Sequence, residues 1–190
     1  MATSWLVVGL GNPGPAYART RHNVGFMSAD ELGRRAGARW TKARGARAEV
    51  MTATLEDQSV VLAKPQTFMN NSGDAVAPLI RMNRVPFDRL VVIHDEIDLD
   101  FGTLRVKFGG GDNGHNGLKS IRARLGSGDF YRVRIGVSRP PGDRDPIDWV
   151  LGTFAASQSE QLKLMLGEAA DAVLSLMRDG LAVTQNRFNS

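Results

Sequence analysis

The sequence predicts an α/β protein: a single-domain, twisted, mixed β-sheet flanked by helices on both faces. Short apolar runs such as Trp5–Gly9 and Arg89–Ile93 are typical of buried strands. These runs alternate along the chain with segments whose apolar residues recur at helical spacing, which is the order expected of an α/β sheet. The 190 residues suit one domain, and no repeat, linker or low-complexity tract divides residues 1–190.

After the first strand and a glycine-rich loop, the sequence predicts a helix over Asn23–Ala36, which Gly37 ends. The next two segments, Ala46–Leu55 and Ser59–Ala63, are rich in Val, Thr and Leu. A short polar stretch separates them, so they predict a β-hairpin.

A second helix is predicted over Asn71–Met82, with Asn71 or Ser72 as its N-terminal cap and a kink at Pro78. It precedes the buried strand that begins at Arg89. The first half of the chain therefore supplies two strands of the central sheet, a hairpin and two helices.

The second half of the chain continues the alternation. Thr103–Phe108 and Tyr131–Val137 predict strands, with a short basic helix over Gly117–Leu125 between them. A turn-rich loop then leads to one or two helical turns at Pro146–Leu151. Ser157–Asp179 has apolar residues on one face and predicts a long amphipathic helix.

The composition excludes several classes of protein. The chain has no cysteine, which rules out a disulfide scaffold, a thiol nucleophile and a cysteine-ligated metal site. Its longest apolar runs are about five residues, whereas a membrane span needs about 20, so no membrane partner is expected. The N-terminus lacks the basic and apolar regions of a signal peptide, and a cytoplasmic location is expected.

Positive charge is concentrated in one part of the chain. The whole sequence has a net charge of +4, whereas residues 101–140 contain eight basic residues and two acids, which is a net charge of +6. The basic residues are Arg105, Lys107, Lys119, Arg122, Arg124, Arg132, Arg134 and Arg139. This segment fits a phosphate backbone, and it equally fits a solvated face whose counter-charges come from elsewhere in the fold.

The loop after the first strand matches a dinucleotide-binding fingerprint, G-x-G-x-x-G, at Gly9–Gly14. Two details argue against a nucleotide-dependent oxidoreductase. Pro13 removes a backbone N–H where a pyrophosphate needs donors, and the next helix begins only near His22. The loop more simply carries Asn12 at the carboxyl end of a strand, where α/β sheets bind ligands.

Amide, imidazole and carboxylate side chains follow several predicted strands or precede helices. They are Asn12, His22, Asn23, Asn70, Asn71, His94, Asp95, Glu96, Asp112, Asn113, His115 and Asn116. A neutral imidazole fixed by a carboxylate can take a proton from water, and asparagine amides can stabilise an oxyanion. This set favours direct attack of water on a carbonyl, although an asparagine beside glycine is often only a turn residue.

A bound metal or other cofactor is not expected from these residues. The neighbouring His94 and Asp95 are possible metal ligands, but no H-x-x-x-H, H-x-H or carboxylate cluster accompanies them. Which of the three histidines would act as a base stays open from the residues alone.

Five segments of the chain resemble the bacterial-type peptidyl-tRNA hydrolase family. They are VVGLGNPGPAYARTRHNVGF (Val7 to Phe26), LAKPQTFMNNSG (Leu62 to Gly73), VVIHDEIDLDFG (Val91 to Gly102), KFGGGDNGHNGLKSI (Lys107 to Ile121) and FYRVRIGVSRPPG (Phe130 to Gly142). They stand in the family's order and at its spacing, and they extend the resemblance over essentially the whole chain.

The resemblance implies catalytic roles for three residues. His22 stands at the position of the general base, and Asp95 at the position of the carboxylate that orients and polarises it. Asn116 matches an amide that binds the peptide and positions the water or the oxyanion. It is the favoured residue for stabilising the oxyanion. The implied reaction is hydrolysis of the ester between peptide and tRNA, without a covalent intermediate, metal or cofactor.

The resemblance also implies where substrate binds. Asn12, Tyr17, Met69 and Asn70 match positions that line the cleft. Lys107 and Arg134 match a basic clamp for the 5′-phosphate region of tRNA, and the neighbouring Lys119 and Arg122 extend that surface. A monomer is the family expectation, and residues 140–151 are expected to act as a lid. The alternative is a non-catalytic RNA-binding protein on the same scaffold.

Overall fold

A seven-stranded mixed sheet organises the computed structural model, which describes residues 4–189. The strands are β1 (Trp5–Gly9), β2 (Thr41–Lys42), β3 (Ala48–Leu55), β4 (Gln58–Pro65), β5 (Leu90–Glu96), β6 (Leu104–Phe108) and β7 (Tyr131–Gly136). Their order across the sheet is β2-β3-β4-β1-β5-β7-β6. Strands β4, β1, β5 and β7 run parallel, whereas β3 pairs antiparallel with β4 and β6 with β7.

Helices cover both faces of this sheet, which confirms the predicted fold class. The helices are α1 (Val24–Ala36), α2 (Ser72–Asn83), α3 (Asn116–Leu125), α4 (Pro146–Val150), α5 (Ser159–Asp179) and α6 (Leu181–Phe188). Alternate residues of β1 show the two layers: Val7 packs in a core with α1 and α5, whereas Leu6 and Val8 pack in a core with α2 and α3. Within residues 4–189, none of the helices is long and apolar enough to cross a membrane.

Burial on both faces explains why the central strands are apolar along their whole length. Every residue of β1 and of β5 is buried, and Leu90–Ile93 has no exposed surface. Parallel strands covered on both sides read as continuous apolar runs rather than as alternating ones. Polar residues begin at the carboxyl end of β5, where His94, Asp95 and Glu96 are buried like the apolar residues before them.

Two expectations about α2 and α1 differ from the structure. Neither Asn71 nor Ser72 caps α2 with its side chain, because the Ser72 hydroxyl donates instead to the Met69 carbonyl, 2.7 Å away. Asn71 is the N-cap residue of α2, as predicted, and it is also the last residue of a 3-10 turn, Met69–Asn71, that leads into the helix. A similar turn, Arg21–Asn23, precedes α1, so that helix begins one residue later than predicted.

Two elements were not predicted from the sequence. The two-residue strand β2 is too short to leave a periodic pattern. After Gly180 the chain continues into α6, and its end protects the sheet edge at β6. The side-chain amide of Asn189 accepts a hydrogen bond from the Val106 N–H at 2.7 Å and donates one to the Val106 carbonyl at 2.9 Å. The backbone N–H and carbonyl of Val106 on this edge strand are thereby not free to pair with a strand of another chain.

Glycine in α1 brings this helix unusually close to the sheet. A β-carbon at Gly25 would lie 2.5 Å from the Ile93 carbonyl oxygen and 2.6 Å from the Leu10 nitrogen. The Phe26 N–H donates to the Leu10 carbonyl at 3.2 Å, which fixes the start of the helix against the loop after β1. This approach sets the turn that carries His22 beside the carboxyl end of β5.

We expect Gly25→Ala to destabilise the fold by about 1–3 kcal/mol, because the added methyl group meets backbone that must shift. Gly167→Ala is the matched control, since its β-carbon in α5 would meet nothing closer than the Arg35 guanidinium, at 3.8 Å. That change should be neutral or stabilising by up to about 1 kcal/mol. Urea unfolding measures both, and equal free energies of unfolding for the two variants would contradict the close-approach argument.

Candidate active site

A cleft of about 330 Å³ opens at the carboxyl ends of β1, β4 and β5. This is the edge at which open α/β sheets bind ligands. All seven residues that the sequence placed in catalysis or peptide binding line it: Asn12, Tyr17, His22, Met69, Asn70, Asp95 and Asn116. Residues from six separate segments of the chain therefore meet in one place.

The Asp95 carboxylate joins two imidazoles at the floor of this cleft. Its Oδ2 lies 2.8 Å from His22 Nδ1, and its Oδ1 lies 2.8 Å from His115 Nε2. Asp95 is 3% exposed, so these two rings take the place of water as hydrogen-bond partners of its carboxylate. Burial alone would raise the pKa of Asp95, but the charges of His22 and His115 and their hydrogen bonds outweigh burial and hold this pKa far below its usual range.

His115 has a fixed tautomer because it also caps α3. Its Nδ1 accepts hydrogen bonds from the backbone N–H groups of Gly117, at 3.1 Å, and Leu118, at 3.3 Å. A nitrogen that accepts from N–H groups carries no proton of its own, so Nε2 is the protonated atom that donates to Asp95. His115 thus links the N-terminus of α3 to the end of β5.

His22 is the imidazole placed to exchange a proton with substrate. Because a carboxylate only accepts, the ring's Nδ1 carries the proton that Asp95 receives, and Nε2 holds the lone pair. Burial lowers the pKa of His22, but the charge and hydrogen bond of Asp95 outweigh burial and raise it above its usual value. The ring is thereby a stronger base than a free imidazole.

His94 lies behind this pair and stays neutral. Its ring is 1% exposed and stands 5.0 Å from the His115 ring, and its Nδ1 donates to the Asp95 carbonyl at 2.8 Å. Burial, with a smaller effect of His115, lowers the pKa of His94 to about 3. It supports the backbone that carries Asp95 and does not face the cleft lining.

Asn12 presents a donor to the cleft. Its Oδ1 accepts a hydrogen bond from the Met69 N–H at 2.7 Å, and since a backbone N–H only donates, the side-chain NH₂ is the group left for substrate. The Asn23 side chain holds the Asn12 backbone through hydrogen bonds of 2.8 and 2.9 Å. Asn12 is therefore rigidly placed at 7% exposure.

Apolar side chains form one wall of the cleft. Met69 is buried, and a β-carbon at Gly117 would lie 2.7 Å from its sulfur, so glycine is needed there for α3 to pack this closely. Tyr17 packs edge-to-face with Phe68 at 6.3 Å, and Phe68 remains 58% exposed. Such a surface fits apolar parts of a substrate.

The remaining predicted residues stand at the rim. Asn70 and Asn116 are exposed side chains that line the cleft opening. The predicted lid segment also reaches the cleft, where Ile147 and Leu151 line it from the far side. The Arg21 guanidinium stacks 3.5 Å above the Trp149 ring, which holds this segment against the turn that carries His22.

Lys107 and Arg134 lie near the cleft on the face that α2 and α3 cover. Arg134 pairs with Glu96 at 3.0 Å, and the Asn113 amide donates to the same carboxylate at 2.5 Å. Burial, followed by the charges of Arg134 and Arg132, lowers the pKa of Lys107. This local excess of positive charge is the condition for capturing an anion.

Arg132, on the same face, is a structural residue. Its guanidinium is fully buried and donates to the carbonyls of Gly110, Gly111 and Gly128, so it braces the glycine-rich loop before α3. Burial is the main cause that lowers its pKa to about 10. It is removed from the set of side chains available to a ligand.

Both interpretations of the basic segment describe part of it. Arg122 pairs with Asp112 at 3.1 Å and Arg124 with Asp74 at 3.3 Å, as expected of a charged face with local counter-ions. Lys119 is exposed and has no acid within 4.0 Å in residues 4–189. The predicted RNA surface thus keeps Lys107 and Lys119 as its less neutralised members.

The whole arrangement matches known proteins. The family model described as peptidyl-tRNA hydrolase matches residues 6–190. The chain belongs to the peptidyl-tRNA hydrolase family. It is 54% identical over 200 residues to the peptidyl-tRNA hydrolase of Cutibacterium acnes and 53% identical over 190 residues to that of Mycobacterium marinum, each alignment covering 100% of both chains.

Solved structures agree with this membership. The crystal structure of peptidyl-tRNA hydrolase from Acinetobacter baumannii superposes with a TM-score of 0.92 at 32% identity, covering 100% of this chain and 96% of that one. The resemblance that the five sequence segments indicated is confirmed. In this peptidyl-tRNA hydrolase family member, the role of each site residue stays a prediction that the geometry supports.

His22, Asp95 and His115 also have the donor types of a metal site. Their ligand atoms lie within 4.8 Å of one another. Each nitrogen is however 2.8 Å from a carboxylate oxygen, as in a hydrogen bond, and His115 Nδ1 is held by backbone amides. A zinc ion would need ligand atoms at about 2.0–2.2 Å, so occupation would break both hydrogen bonds.

Sequence reasoning missed the role of His115. It named this residue among three histidines but placed only His22 beside Asp95. The available signal was its position immediately before the predicted helix at Gly117, where a side-chain acceptor caps the first turn. The place of Phe68 in the cleft wall was missed too, although this residue directly precedes the predicted site residues Met69 and Asn70.

We expect NMR titration to find the pKa of His22 above its usual value of about 6.5 and the Asp95→Asn substitution to lower it below that value. Loss of the carboxylate leaves burial, which disfavours the imidazolium. His94 is an internal control that should show no transition between about pH 5 and 8. An unchanged His22 titration in a folded Asp95→Asn variant would contradict this electrostatic assignment.

Proposed function

We propose that the protein hydrolyses the ester bond between peptide and tRNA in peptidyl-tRNA by direct attack of water, with His22 as general base. The observation that carries this proposal is the 2.8 Å pair of His22 and Asp95 at the floor of the cleft. Membership of a hydrolase family supports the reaction, and the geometry supports the roles of its residues. Free tRNA and a peptide are the products.

In the first step, His22 Nε2 takes a proton from water while the water oxygen bonds to the ester carbonyl carbon. The electron pair of the carbonyl moves to its oxygen, and Asp95 stabilises the imidazolium through Nδ1. In the second step, the tetrahedral intermediate collapses, the bond to the ribose oxygen breaks, and His22 Nε2 returns its proton to that oxygen. A positioned base of this kind contributes about 10²–10⁴-fold.

The amides of the cleft complete the site. Asn116 is the proposed donor to the oxyanion or to the water, since it stands at the N-terminus of α3 beside His115. A single oxyanion donor contributes about 10²–10³-fold. Asn12 and Asn70 are the proposed partners of the peptide backbone, with Tyr17 and Met69 packing against its apolar parts.

The lining of the cleft supports a mechanism without an acyl-enzyme. Among its residues in the described chain there is no serine, threonine, cysteine or lysine. The carboxylate of Asp95 is committed to two imidazoles, and Glu96 is paired with Arg134. Water is therefore the nucleophile that this site can supply, and no cofactor is proposed.

The RNA part of the substrate is proposed to bind Lys107, Arg134, Lys119 and Arg122, with the first two gripping its 5′-phosphate region. Lys107 has no acid within 4.0 Å in residues 4–189, and burial with the charges of Arg134 and Arg132 lowers its pKa. The alternative, a non-catalytic RNA-binding protein, needs this surface but gives no reason for the His22–Asp95 pair. A monomer and a cytoplasmic location, expected from the resemblance, also stay proposals.

We expect His22→Ala to lower kcat for N-acetyl-aminoacyl-tRNA by about 10²–10⁴-fold, with the fold retained. In the unsubstituted protein, kcat/KM should fall as the pH drops through the raised pKa of His22, because protonation removes the base. Initial rates measured across pH test both statements. Near-normal turnover by His22→Ala would refute the proposed base, and no hydrolysis by the unsubstituted protein would favour the RNA-binding alternative.

We expect Lys107→Ala to raise KM for full-length substrates while kcat stays nearly constant, because the lysine binds phosphate in ground and transition states alike. The slope of log affinity against log salt should become shallower by about 0.7–0.9. Lys163→Ala, an exposed lysine of α5 on the other face of the sheet, is the matched control. Identical kinetics and salt slopes for the two variants would remove Lys107 from the RNA surface.

A further inference from the structure

A group of four arginines lies beyond the basic surface described above. Arg44 and Arg47 belong to the loop that precedes β3, and Arg81 and Arg84 belong to the last turn of α2 and its end. The loop packs on the helix where Gly45 meets Met82: a β-carbon built on that glycine would lie 3.0 Å from the methionine sulfur. We name these four residues the arginine patch.

The arginine patch is exposed and electrostatically unneutralised. Each of its side chains is exposed, and no carboxylate in residues 4–189 lies within 4.0 Å of any of them. The arginines of the predicted surface behave differently, because Arg122, Arg124 and Arg134 each pair with an acid. Attraction to the C-terminus of α2 accounts for Arg81 and Arg84, but it does not account for Arg44 and Arg47.

Hydrogen bonds join the loop and the helix that carry the patch to neighbouring segments of the fold. The Arg47 carbonyl accepts a hydrogen bond from the Gln66 N–H at 2.8 Å, two residues before Phe68 on the cleft wall. On its other side, α2 packs tightly on α3, where the Gly73 N–H donates to the Ser120 hydroxyl at 2.8 Å. Lys119 precedes that serine, on the helix that packs against the first turn of α2.

The patch and the proposed phosphate clamp stand on opposite sides of the cleft. Lys107 lies on β6 at one end of the sheet, whereas the loop of Arg44 and Arg47 leads into β3 near the other end. Five strand spacings separate β6 from β3, which is roughly 24 Å. A bound nucleic acid held only at Lys107 would leave the far side of this surface unused.

We propose that the arginine patch binds backbone phosphates of the RNA part of the substrate, at a second contact distant from the Lys107 clamp. This inference rests on the proposed function. Guanidinium groups suit phosphate because they donate several hydrogen bonds in one plane. Unpaired, exposed guanidiniums that release counter-ions from RNA contribute affinity that depends on salt and not on sequence.

The test compares two double variants that each remove two charges. Arg44→Gln with Arg81→Gln changes the patch, and Lys163→Gln with Arg187→Gln changes exposed cations of α5 and α6 on the opposite face. Both are assayed on N-acetyl-aminoacyl-tRNA and on a minimal substrate, the same ester on a CCA trinucleotide. Binding of uncharged tRNA is measured across salt concentrations, and unfolding checks that both variants fold.

For the patch variant we expect KM for the full-length substrate to rise about fivefold to tenfold, with kcat and the minimal substrate unaffected. Its salt slope for tRNA binding should be shallower by about 1–2. The control should match the unsubstituted protein in every assay. An unchanged KM and salt slope would overturn the proposal, as would an equal loss on the minimal substrate. Absent hydrolysis by the unsubstituted protein would instead refute the proposed function, since tRNA binding tests the patch without chemistry.

Discussion

Burying the Asp95 carboxylate is the constraint on which the rest of the site depends. An ionised acid at 3% exposure is tolerated only where hydrogen bonds replace its water, and here two ring N–H groups do so at 2.8 Å each. Those donors come from the turn before α1 and the N-terminus of α3, on opposite faces of the sheet. The same two hydrogen bonds therefore satisfy the buried carboxylate and fix where α1 and α3 pack on the sheet.

Two glycines, Gly25 and Gly117, allow α1 and α3 to pack this closely. Gly25 lets α1 approach β5 until His22 reaches Asp95, and Gly117 lets α3 approach Met69 until His115 reaches the same carboxylate. A β-carbon at Gly25 would meet the backbone of Ile93 and Leu10, and one at Gly117 would meet the side chains of Met69, Leu10 and His115. The motifs in which these glycines stand are thus packing requirements as much as chemical ones.

Sequence reasoning reached the parts of the fold that periodicity encodes. The apolar runs of β1 and β5 and the helical spacing of α1 were sufficient because burial on both faces leaves a strong pattern. Asn71 is the N-cap of α2, as predicted, but no side chain caps the helix, and the Ser72 hydroxyl donates to the Met69 carbonyl in a turn that only the folded chain forms. His22 was selected through family resemblance, whereas the link of His115 to Asp95 spans 20 residues and leaves no local signal.

The charges at the floor of the cleft differ in kind from those on the exposed surface of α3. At the cleft floor, the buried carboxylate of Asp95 raises the pKa of His22, whereas burial keeps the neighbouring His94 neutral. Both arginines of α3 pair with acids, whereas Lys119 of the same helix is exposed and has no acid within 4.0 Å in residues 4–189. A polyanion that binds exposed cations such as Lys119 gains affinity from charge, whereas the raised pKa of His22 comes from Asp95 within the protein.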